Sequence, residues 1–257
     1  MKSASLNIEI DGRIAIVAVD RPAKRNALDD ATMNGLGRFF AAPPEGVAAA
    51  VLRGEGKHFS AGLDLSEIKE RDAAEGVDHS RMWHEALGHV QFGKVPVVAV
   101  LHGAVVGGGL ELAAAAHIRV AEPSAYFALP EGRHGIFVGG GGSVRISRLI
   151  GVARMADMML TGRVLSAEEG ERVGLVHYMA PEGQGLSLGM EIARKIAENP
   201  PLTNFAVLQA LPRIAESGRD EGLFAESLIA AIAQSAPEAK ARIRKFLDKR
   251  GDKVKQP

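Results

Sequence analysis

Apolar residues alternate with other residues over positions 5–20, on either side of an Asp11-Gly12 pair. A period of two is typical of β-strands, and an Asp-Gly pair is typical of tight hairpin turns. The pattern therefore predicts a β-hairpin at the start of the chain. A short apolar run at 47–53 predicts another strand, which ends at the glycine-rich turn 54–56.

Helical patterns separate these strands from the next ones. Asp29 or Asp30 can cap a helix over residues 31–41, because either carboxylate can accept from the free N–H groups of a first turn. A charged, helix-like stretch at 66–90 begins near Ser66 and contains an apolar stripe. That stripe consists of Met82, Trp83, Leu87 and Val90. Such a stripe is more often part of a core than of a substrate pocket.

Two further apolar runs are each followed by residues suited to chemistry. The run 95–101 predicts a strand, and three consecutive glycines at 107–109 come after it. Glu111 then lies in the first turn of an alanine-rich helix. The run 125–129 predicts a second strand, and Glu131 follows it.

Glycines allow a ligand to approach the backbone, and the first N–H groups of a helix lack intrahelical partners. Such donors can bind an oxyanion, and two carboxylates beside them suggest acid–base chemistry on an activated carbonyl. A simple tight turn, with a glutamate that complements the helix dipole, is the alternative.

A second turn of small residues lies in the segment KHFSAGLDL, residues 57–65. Ser60, Ala61 and Gly62 there separate a predicted strand from a predicted helix. One N–H from this turn and one from 107–109 could converge on a single oxygen, which is the minimum that an oxyanion hole requires.

Two more loops have a functional and a structural interpretation. The loop DRPAKRNAL, residues 20–28, brings three cations together; they form either a solvated surface or a phosphate or adenine contact. Four glycines at 139–142 precede Ser143, a candidate cap for a helix over 144–150. They lack the Gly-Lys-Ser/Thr of a phosphate-binding loop and the GxGxxG of a dinucleotide fold, so they predict close packing against the site.

The last part of the chain is predicted to be helical. Ser166 begins a capping-box sequence whose helix ends at Gly174, and 175–179 is a short strand. Four helices follow, at 186–198, 202–216, 220–234 and 237–249. We therefore expect an α/β part over residues 1–195, with the active site, and a helical, oligomerising part over 196–257.

Composition narrows the function. Lys+Arg and Asp+Glu both number 31, so nothing indicates nucleic acid or an anionic membrane, and a small molecule is the expected partner. The chain has no cysteine, which excludes a disulfide framework, a thiolate nucleophile and a cysteine zinc site. The first residues lack an apolar signal-peptide core, and no apolar run reaches the roughly 18 residues of a membrane span. We expect a cytoplasmic protein.

These segments, taken in order, resemble the crotonase family (the enoyl-CoA hydratase/isomerase superfamily) over nearly the whole chain. The matching sequences are DRPAKRNAL, HFSAGLDL, HGAVVGGGLELAAAAHIRVA, FALPEGRHGIFVGGGGSVRISRLIG, LTGRVLSAEEGERVGLVHYM and FLDKR. The resemblance implies a spiral of ββα units with an all-helical C-terminal region. It also implies a homotrimer, or a hexamer made of two trimers.

The resemblance assigns roles residue by residue. Ala61 and Gly108 would donate the two N–H groups of the oxyanion hole, and Glu111 and Glu131 would be the paired catalytic carboxylates. The residues expected to bind the CoA thioester are Lys24, Arg25, Ala27, Gly62, Leu63, Asp64, Leu65 and Lys249. Those expected to line the acyl pocket are Trp83, Ile136 and Phe137. Lys249 would reach a CoA phosphate, in the family often that of a neighbouring subunit.

Because both glutamates are present, the resemblance implies hydration of a 2-enoyl-CoA to a 3-hydroxyacyl-CoA, with Glu131 as the donor of the Cα proton and Glu111 orienting the water. Isomerisation, thioester hydrolysis or non-catalytic acyl-CoA binding are the alternatives. Gly132 replaces the bulky aliphatic residue of many members, so a short, substituted or heteroatom-bearing acryloyl group is a further option. No cofactor or metal is expected, CoA being part of the substrate. His58, His102, His117 and His134 could each be a base or a metal ligand, but we expect each to have a structural or surface role.

Overall fold

The computed structural model describes residues 5–64, 66 and 70–248 of the 257-residue chain. The chain divides into two compact units, residues 1–197 and 198–257. The first unit begins with the predicted hairpin, β1 (Leu6–Asp11) and β2 (Ile14–Val19), whose strands pair antiparallel from Leu6 with Val19 to Asp11 with Ile14. The Asp-Gly turn therefore falls where the alternating pattern predicts it.

A six-stranded sheet forms the centre of the first unit. Its remaining strands are β3 (Ala49–Gly54), β4 (Val97–Leu101), β6 (Ile118–Ala121) and β9 (Tyr178–Met179), in the order β1-β2-β3-β4-β6-β9. Every pairing after the hairpin is parallel. All five residues of β4 are buried, as expected of a parallel strand that is covered on both faces.

A second, smaller sheet consists of β5 (Ala104–Val106), β7 (Tyr126–Ala128) and β8 (Leu165–Ser166), in that order. Ser60 extends it through a parallel bridge to Val105. The chain thus passes three times from the large sheet to the small one: from β3 to Ser60, from β4 to β5, and from β6 to β7. This repeated passage, with intervening helices, is a ββα spiral, and the predicted fold class is confirmed.

In the part of the first unit that the structure describes, seven α-helices connect or cover these strands. They are α1 (Asp30–Ala41), α2 (Ala73–Phe92), α3 (Gly108–Ala115), α4 (Gly142–Ile150), α5 (Val152–Thr161), α6 (Ala167–Val173) and α7 (Gly185–Ala197). Asp29 caps α1 by accepting from the Thr32 N–H at 2.8 Å, and Ser166 forms the predicted capping box with Glu169.

Two predicted helix starts are wrong. Helix α2 begins at Ala73 and not near Ser66, because Asp72 and Glu75 form a capping box that fixes the first turn there. Helix α4 begins at Gly142, so Ser143 lies inside it and does not cap it. Gly141 occupies the cap position with φ 93°, a left-handed conformation that favours glycine.

The two faces of the large sheet carry separate apolar clusters. One face packs against α7, where Val51, Val98 and Val100 meet Met190 and Ile192. The other face, with α1, α2 and α3, buries the larger cluster, whose fully buried members include Leu36, Phe40, Leu52, Leu101 and Leu110. Each such side chain contributes roughly 1.5–3 kcal/mol by leaving water.

The described secondary structure of the second unit consists of helices joined by short turns. It comprises α8 (Pro201–Phe205), a π-helical turn (Ala206–Ala210), α9 (Leu211–Glu216), α10 (Arg219–Ser235) and α11 (Pro237–Leu247). Large apolar side chains are exposed on it, among them Phe205, Leu211, Phe224, Leu228 and Phe246. In neither unit does any described helix combine the length and apolarity needed to span a bilayer.

Candidate active site

The three passages into the small sheet end close together. Ser60, β5 and β7 run parallel, so the residues that follow them leave the sheet at one edge. A cavity of about 280 Å³ lies there, and Leu63, Gly108, Glu111 and Glu131 all border it. The topology thus brings together residues from three distant segments of the sequence.

Glu111 is held firmly by backbone donors. The side chain is 3% exposed, and its Oε1 accepts the N–H of Gly140 at 2.8 Å and that of Gly142 at 2.7 Å. Burial raises the pKa of the Glu111 carboxyl, while these N–H groups and the charge of Arg145 lower it. The four-glycine segment therefore packs on the site, as predicted, and supplies donors to one carboxylate.

Glu131 has a different environment. It begins a 3₁₀ turn (Glu131–His134) after β7, is 7% exposed, and its Oε2 has no hydrogen-bond partner among the described residues. Burial, and secondarily the charge of Glu111, raises the pKa of Glu131 to about 7. A Cβ at Gly107, where φ is +53°, would lie 2.8 Å from Glu131 Oε1, so this approach requires glycine. Glu131 is thus a carboxyl that can be protonated near neutral pH.

The structure contradicts the predicted donor role of Ala61. Its N–H donates to the Arg25 carbonyl at 3.0 Å, because residues 60–64 run beside residues 25–28. The N–H groups of Ser60, Gly62 and Asp64 are also engaged, with the Ala104 carbonyl, the Ser60 hydroxyl and the Leu28 carbonyl. Within the described segment 60–64, only the Leu63 N–H has no acceptor. Sequence reasoning chose the wrong residue of this turn, because the pairing partner of Ala61 is distant in sequence.

The Leu63 N–H lies beside that of Gly108. Gly108 is the first residue of α3, so its N–H has no intrahelical acceptor. A Cβ at Gly108 would lie 3.5 Å from the Leu63 nitrogen, and one at Gly62 would lie 3.2 Å from the Gly108 nitrogen. Two neighbouring N–H groups at the wall of a cavity can bind one oxygen, and Leu63 replaces Ala61 as the partner of Gly108.

The predicted CoA-binding loop is braced by a buried carboxylate. Asp64 is 4% exposed, and its Oδ2 contacts Lys24 Nζ at 2.9 Å and Arg21 Nη2 at 2.6 Å. The Lys24 hydrogen bond is the main reason why the pKa of Asp64 lies far below its usual range. Lys24 is half-exposed, so it joins the two loops while one side of it faces solvent.

The other predicted CoA contacts follow the same loop. Arg25 is exposed and has φ 51°, and the Ala27 carbonyl accepts from Arg21. Gly62, with φ +93°, accepts the N–H of Leu28 through its carbonyl. Leu65 and Lys249 lie outside the described residues.

Asn26 organises this region and was missed by sequence reasoning. It is fully buried with φ 55°, and its Nδ2 donates to the carbonyls of Glu55 at 2.8 Å and His58 at 2.6 Å. Its carbonyl accepts the Ser60 hydroxyl at 2.8 Å. The available signal was an Asn after two cations in a loop, since Asn tolerates the left-handed conformation better than most residues.

The predicted acyl-pocket residues all border the cavity, but with different exposure. Trp83 is 4% exposed, whereas Ile136 and Phe137 are 48% and 68% exposed. The Trp83 Nε1 has no hydrogen-bond partner among the described residues. Trp83 is therefore both a core and a cavity residue, and the other two form an exposed apolar rim.

Three of the four histidines named in the sequence analysis form hydrogen bonds with backbone groups. His58 Nδ1 accepts the Ala104 N–H at 3.1 Å, and His117 Nδ1 accepts the Val97 N–H at 3.0 Å. Burial lowers the pKa of His117 to about 4, so this ring is neutral. His102 Nε2 bonds the Gly56 carbonyl at 3.2 Å, and His134 ends the 3₁₀ turn. Among the described residues no group of three His, Cys, Asp or Glu could hold a metal ion.

Known proteins resemble this chain in sequence and in fold over nearly its whole length. The sequence model described as Enoyl-CoA hydratase/isomerase matches residues 9–257. The short-chain-enoyl-CoA hydratase of Clostridium acetobutylicum is 31% identical over 97% of both chains, and the 2,3-dehydroadipyl-CoA hydratase of Escherichia coli K12 is 31% identical over 93% of both. A solved structure from Rhodopseudomonas palustris, described as a candidate enoyl-CoA hydratase, is 57% identical with a TM-score of 0.93, over 96% of this chain and 95% of that one.

Proposed function

This chain belongs to the enoyl-CoA hydratase/isomerase family, and on that premise we propose that it adds water to a 2-enoyl-CoA thioester to give the 3-hydroxyacyl-CoA. The observation that carries the proposal is one cavity in which two carboxylates of unlike environment accompany two neighbouring free N–H groups. No single element of that set is specific, but the combination matches what a hydration requires.

The N–H groups of Leu63 and Gly108 bind the thioester oxygen in this proposal. Negative charge grows on that oxygen when a nucleophile adds at Cβ, because the electrons of the double bond move into the enolate. Donors already in place stabilise this charge, and removing one such donor typically lowers the rate about 10²- to 10³-fold. Leu63 takes the donor role predicted for Ala61, because the Ala61 N–H is already bound to the Arg25 carbonyl.

The two glutamates divide the proton transfers. Glu111, ionised and fixed by two N–H groups, orients the water and takes its proton as the oxygen bonds to Cβ. Glu131, protonated, delivers its proton to Cα, and the proton left on Glu111 then restores Glu131 through exchange. Overall, one O–H bond of water and the π bond between Cα and Cβ are broken, and one C–O and one C–H bond are formed. General acid–base catalysis of this kind is worth about 10²- to 10⁴-fold.

Lys24 and Arg25 are proposed to lie along the phosphate and adenine parts of CoA. Asp64 supports this role by tying Lys24 to the turn that carries Leu63. A cation whose nitrogen is already paired still attracts phosphate, since Lys24 remains half-exposed. Ala27, Gly62, Leu65 and Lys249 stay predicted CoA contacts.

The acyl group is proposed to pass between Trp83 and the rim formed by Ile136 and Phe137. An exposed apolar rim does not limit the far end of the acyl group, so a substituted or bulky acryloyl group fits the proposal as well as a short chain.

Isomerisation and thioester hydrolysis on the same site are second candidates, because the N–H pair can stabilise any enolate or tetrahedral oxyanion. Non-catalytic acyl-CoA binding is disfavoured, because a binder has no use for two buried carboxylates.

The deciding experiment incubates purified protein with crotonyl-CoA and follows the loss of enoyl-thioester absorbance. We expect 3-hydroxybutyryl-CoA as the product and a large loss of rate in Glu111→Ala and Glu131→Ala. Crotonate with free CoA, or a shifted double bond in a 3-enoyl substrate, would identify the hydrolase or the isomerase instead. Binding without any turnover, across short and substituted acryloyl thioesters, would leave the non-catalytic binder.

A trimer or a hexamer of two trimers is proposed for the assembly, and the cytoplasm for its location. The second unit exposes large apolar side chains that a helical region of this size does not usually leave in water, among them Phe205, Phe224 and Phe246. Sedimentation velocity at two protein concentrations tests the assembly; a monomer at both would exclude it.

A further inference from the structure

The four-glycine segment 139–142 is held on both sides. Its N–H groups serve Glu111, through Gly140 and Gly142. Its carbonyls are bound by side chains from two helices: Gly139 accepts from Ser80 Oγ of α2 at 2.5 Å, and Gly140 accepts from Arg145 Nη1 of α4 at 2.8 Å. A segment of four glycines has little stiffness of its own, so these side chains decide which way its N–H groups face.

Arg145 is itself immobilised. Its Nε donates to Gln91 Oε1 at 2.7 Å, at the C-terminal end of α2, and the side chain is half-buried. A Cβ at Gly141 would overlap the guanidinium, so the segment and the arginine are packed directly against each other. Arg145 thus connects a fixed helix end to the peptide that donates to Glu111.

We infer that Arg145, held by Gln91, is the positioning residue for Glu111: its guanidinium fixes the Gly140 peptide so that the N–H of Gly140 and that of Gly142 meet at one carboxylate oxygen. Arg145 does not border the cavity and touches no reacting atom in this inference. The inference rests on the proposed function, because it assigns Arg145 a part in the same reaction.

The guanidinium has a second effect through its charge. Among the described residues, the charge of Arg145 and the N–H groups of Gly139, Gly140 and Gly142 lower the pKa of Glu111, and Glu111 in turn raises the pKa of the neighbouring Glu131. Removing the positive charge makes ionisation of Glu111 less favourable, so the pKa of this carboxyl rises further. A residue with a merely structural role would not shift that titration.

Arg145→Met tests both effects. With crotonyl-CoA we expect kcat to fall about 10- to 100-fold, since small misplacements of a catalytic group have effects of this size, while KM changes little. The acid limb of the kcat/KM profile should move to higher pH. Arg145→Lys keeps the charge but has no second nitrogen for Gln91, so it should keep the pH limb and lose part of kcat. Gln91→Ala should resemble Arg145→Lys.

Arg148→Met is the matched control, because Arg148 lies three residues along the same helix and is exposed. Circular dichroism and thermal melts confirm that each variant is folded. A kcat of Arg145→Met within twofold of wild type, or a loss equal to that of Arg148→Met, overturns the inference. The inference is also overturned if the acid limb of the kcat/KM profile stays at the wild-type pH in Arg145→Met.

A readout without turnover separates this inference from the proposed function. Protein labelled with ¹³C at the glutamate carboxyls is titrated by NMR, with Glu111 assigned by Glu111→Gln. The Glu111 titration should move to higher pH in Arg145→Met and stay in place in Arg145→Lys. If wild type leaves crotonyl-CoA unchanged while this shift is seen, the proposed hydratase fails on that substrate and the positioning role stands. An unmoved Glu111 titration contradicts the role whatever the substrate.

Discussion

Glu111 and Glu131 share one cavity, yet the backbone around them differs. Glu111 sits in the first turn of a helix and receives two N–H groups from a glycine segment. Glu131 sits in a short 3₁₀ turn, and its Oε2 has no partner among the described residues. Both are buried, so burial alone does not distinguish them. The difference lies in the donors: one oxygen of Glu111 accepts two N–H groups, whereas Oε2 of Glu131 accepts none from the described residues.

Glu131→Gln should have the largest effect, because it leaves a neutral side chain that cannot release a proton. We expect kcat with crotonyl-CoA to fall about 10³-fold, inside the usual range of general acid catalysis, with little change in thioester binding. Stopped-flow turnover and calorimetric binding of butyryl-CoA measure the two quantities. Retention of more than a tenth of wild-type kcat would show that Glu131 is not the proton donor.

Gly142→Ala tests the role of the N–H donors that hold Glu111. A Cβ there would lie 2.8 Å from both Oε1 and Cγ of Glu111, so the carboxylate must move. We expect kcat to fall about 10²-fold. Gly139→Ala is the matched control, because among the described residues its Cβ would meet Ser80 Oγ alone, at 3.8 Å. Equal losses in the two variants would mean that the segment tolerates no side chain anywhere, and that Glu111 is not the cause.

The pH profile should show two limbs, because the two carboxyls act in opposite protonation states in the proposed mechanism. Glu131 acts when protonated and its pKa is raised to about 7, so kcat/KM should be high below that value and fall as the pH rises through it. Glu111 acts when ionised, so activity should also fall at acid pH, at a limb above the ordinary carboxyl range. A profile that is flat from pH 6 to 9 would contradict the assignment of the proton to Glu131.

Thermal stability gives the smallest expected effect. A carboxyl whose pKa is raised in the folded protein destabilises it as the pH rises from the unfolded pKa towards the folded one, here from 4.5 towards about 7. Glu131→Gln removes this effect. Its Tm should exceed that of wild type by several degrees at pH 8, at about 2–4 °C per kcal/mol for a domain of this size, and by less at pH 4. An equal difference at both values would assign the change to packing.

Sequence patterns sufficed for most of the fold, because strands and helices leave local signals. The Asp11-Gly12 hairpin and the Ser166 capping box are found where the patterns put them. The strands β5, β6 and β8 were not predicted, since three, four and two residues are too few to show a period. The start of α2 was misplaced because Asp72 and Glu75 form a better cap than Ser66.

The site was less predictable, since its contacts join distant segments. The motif order placed Glu111, Glu131 and Gly108 on one cavity, but it could not say which N–H of the 60–64 turn is free. That depends on Arg25, whose carbonyl takes the Ala61 N–H. The roles of Gln91 and Arg145 also lie beyond sequence patterns, because 54 residues separate the two side chains.

The free N–H pair of Leu63 and Gly108 has a consequence for how such a site is surveyed and how it changes. Leu63→Ala would remove a side chain that borders the cavity but keep the backbone N–H of residue 63. Alanine scanning would therefore detect a change in preference for acyl groups and would not detect the contribution of this N–H to the proposed stabilisation of the oxyanion. In the proposed mechanism the groups that stabilise charge belong to the main chain, so substitutions of the surrounding side chains can change which acyl groups are accepted without removing the donors.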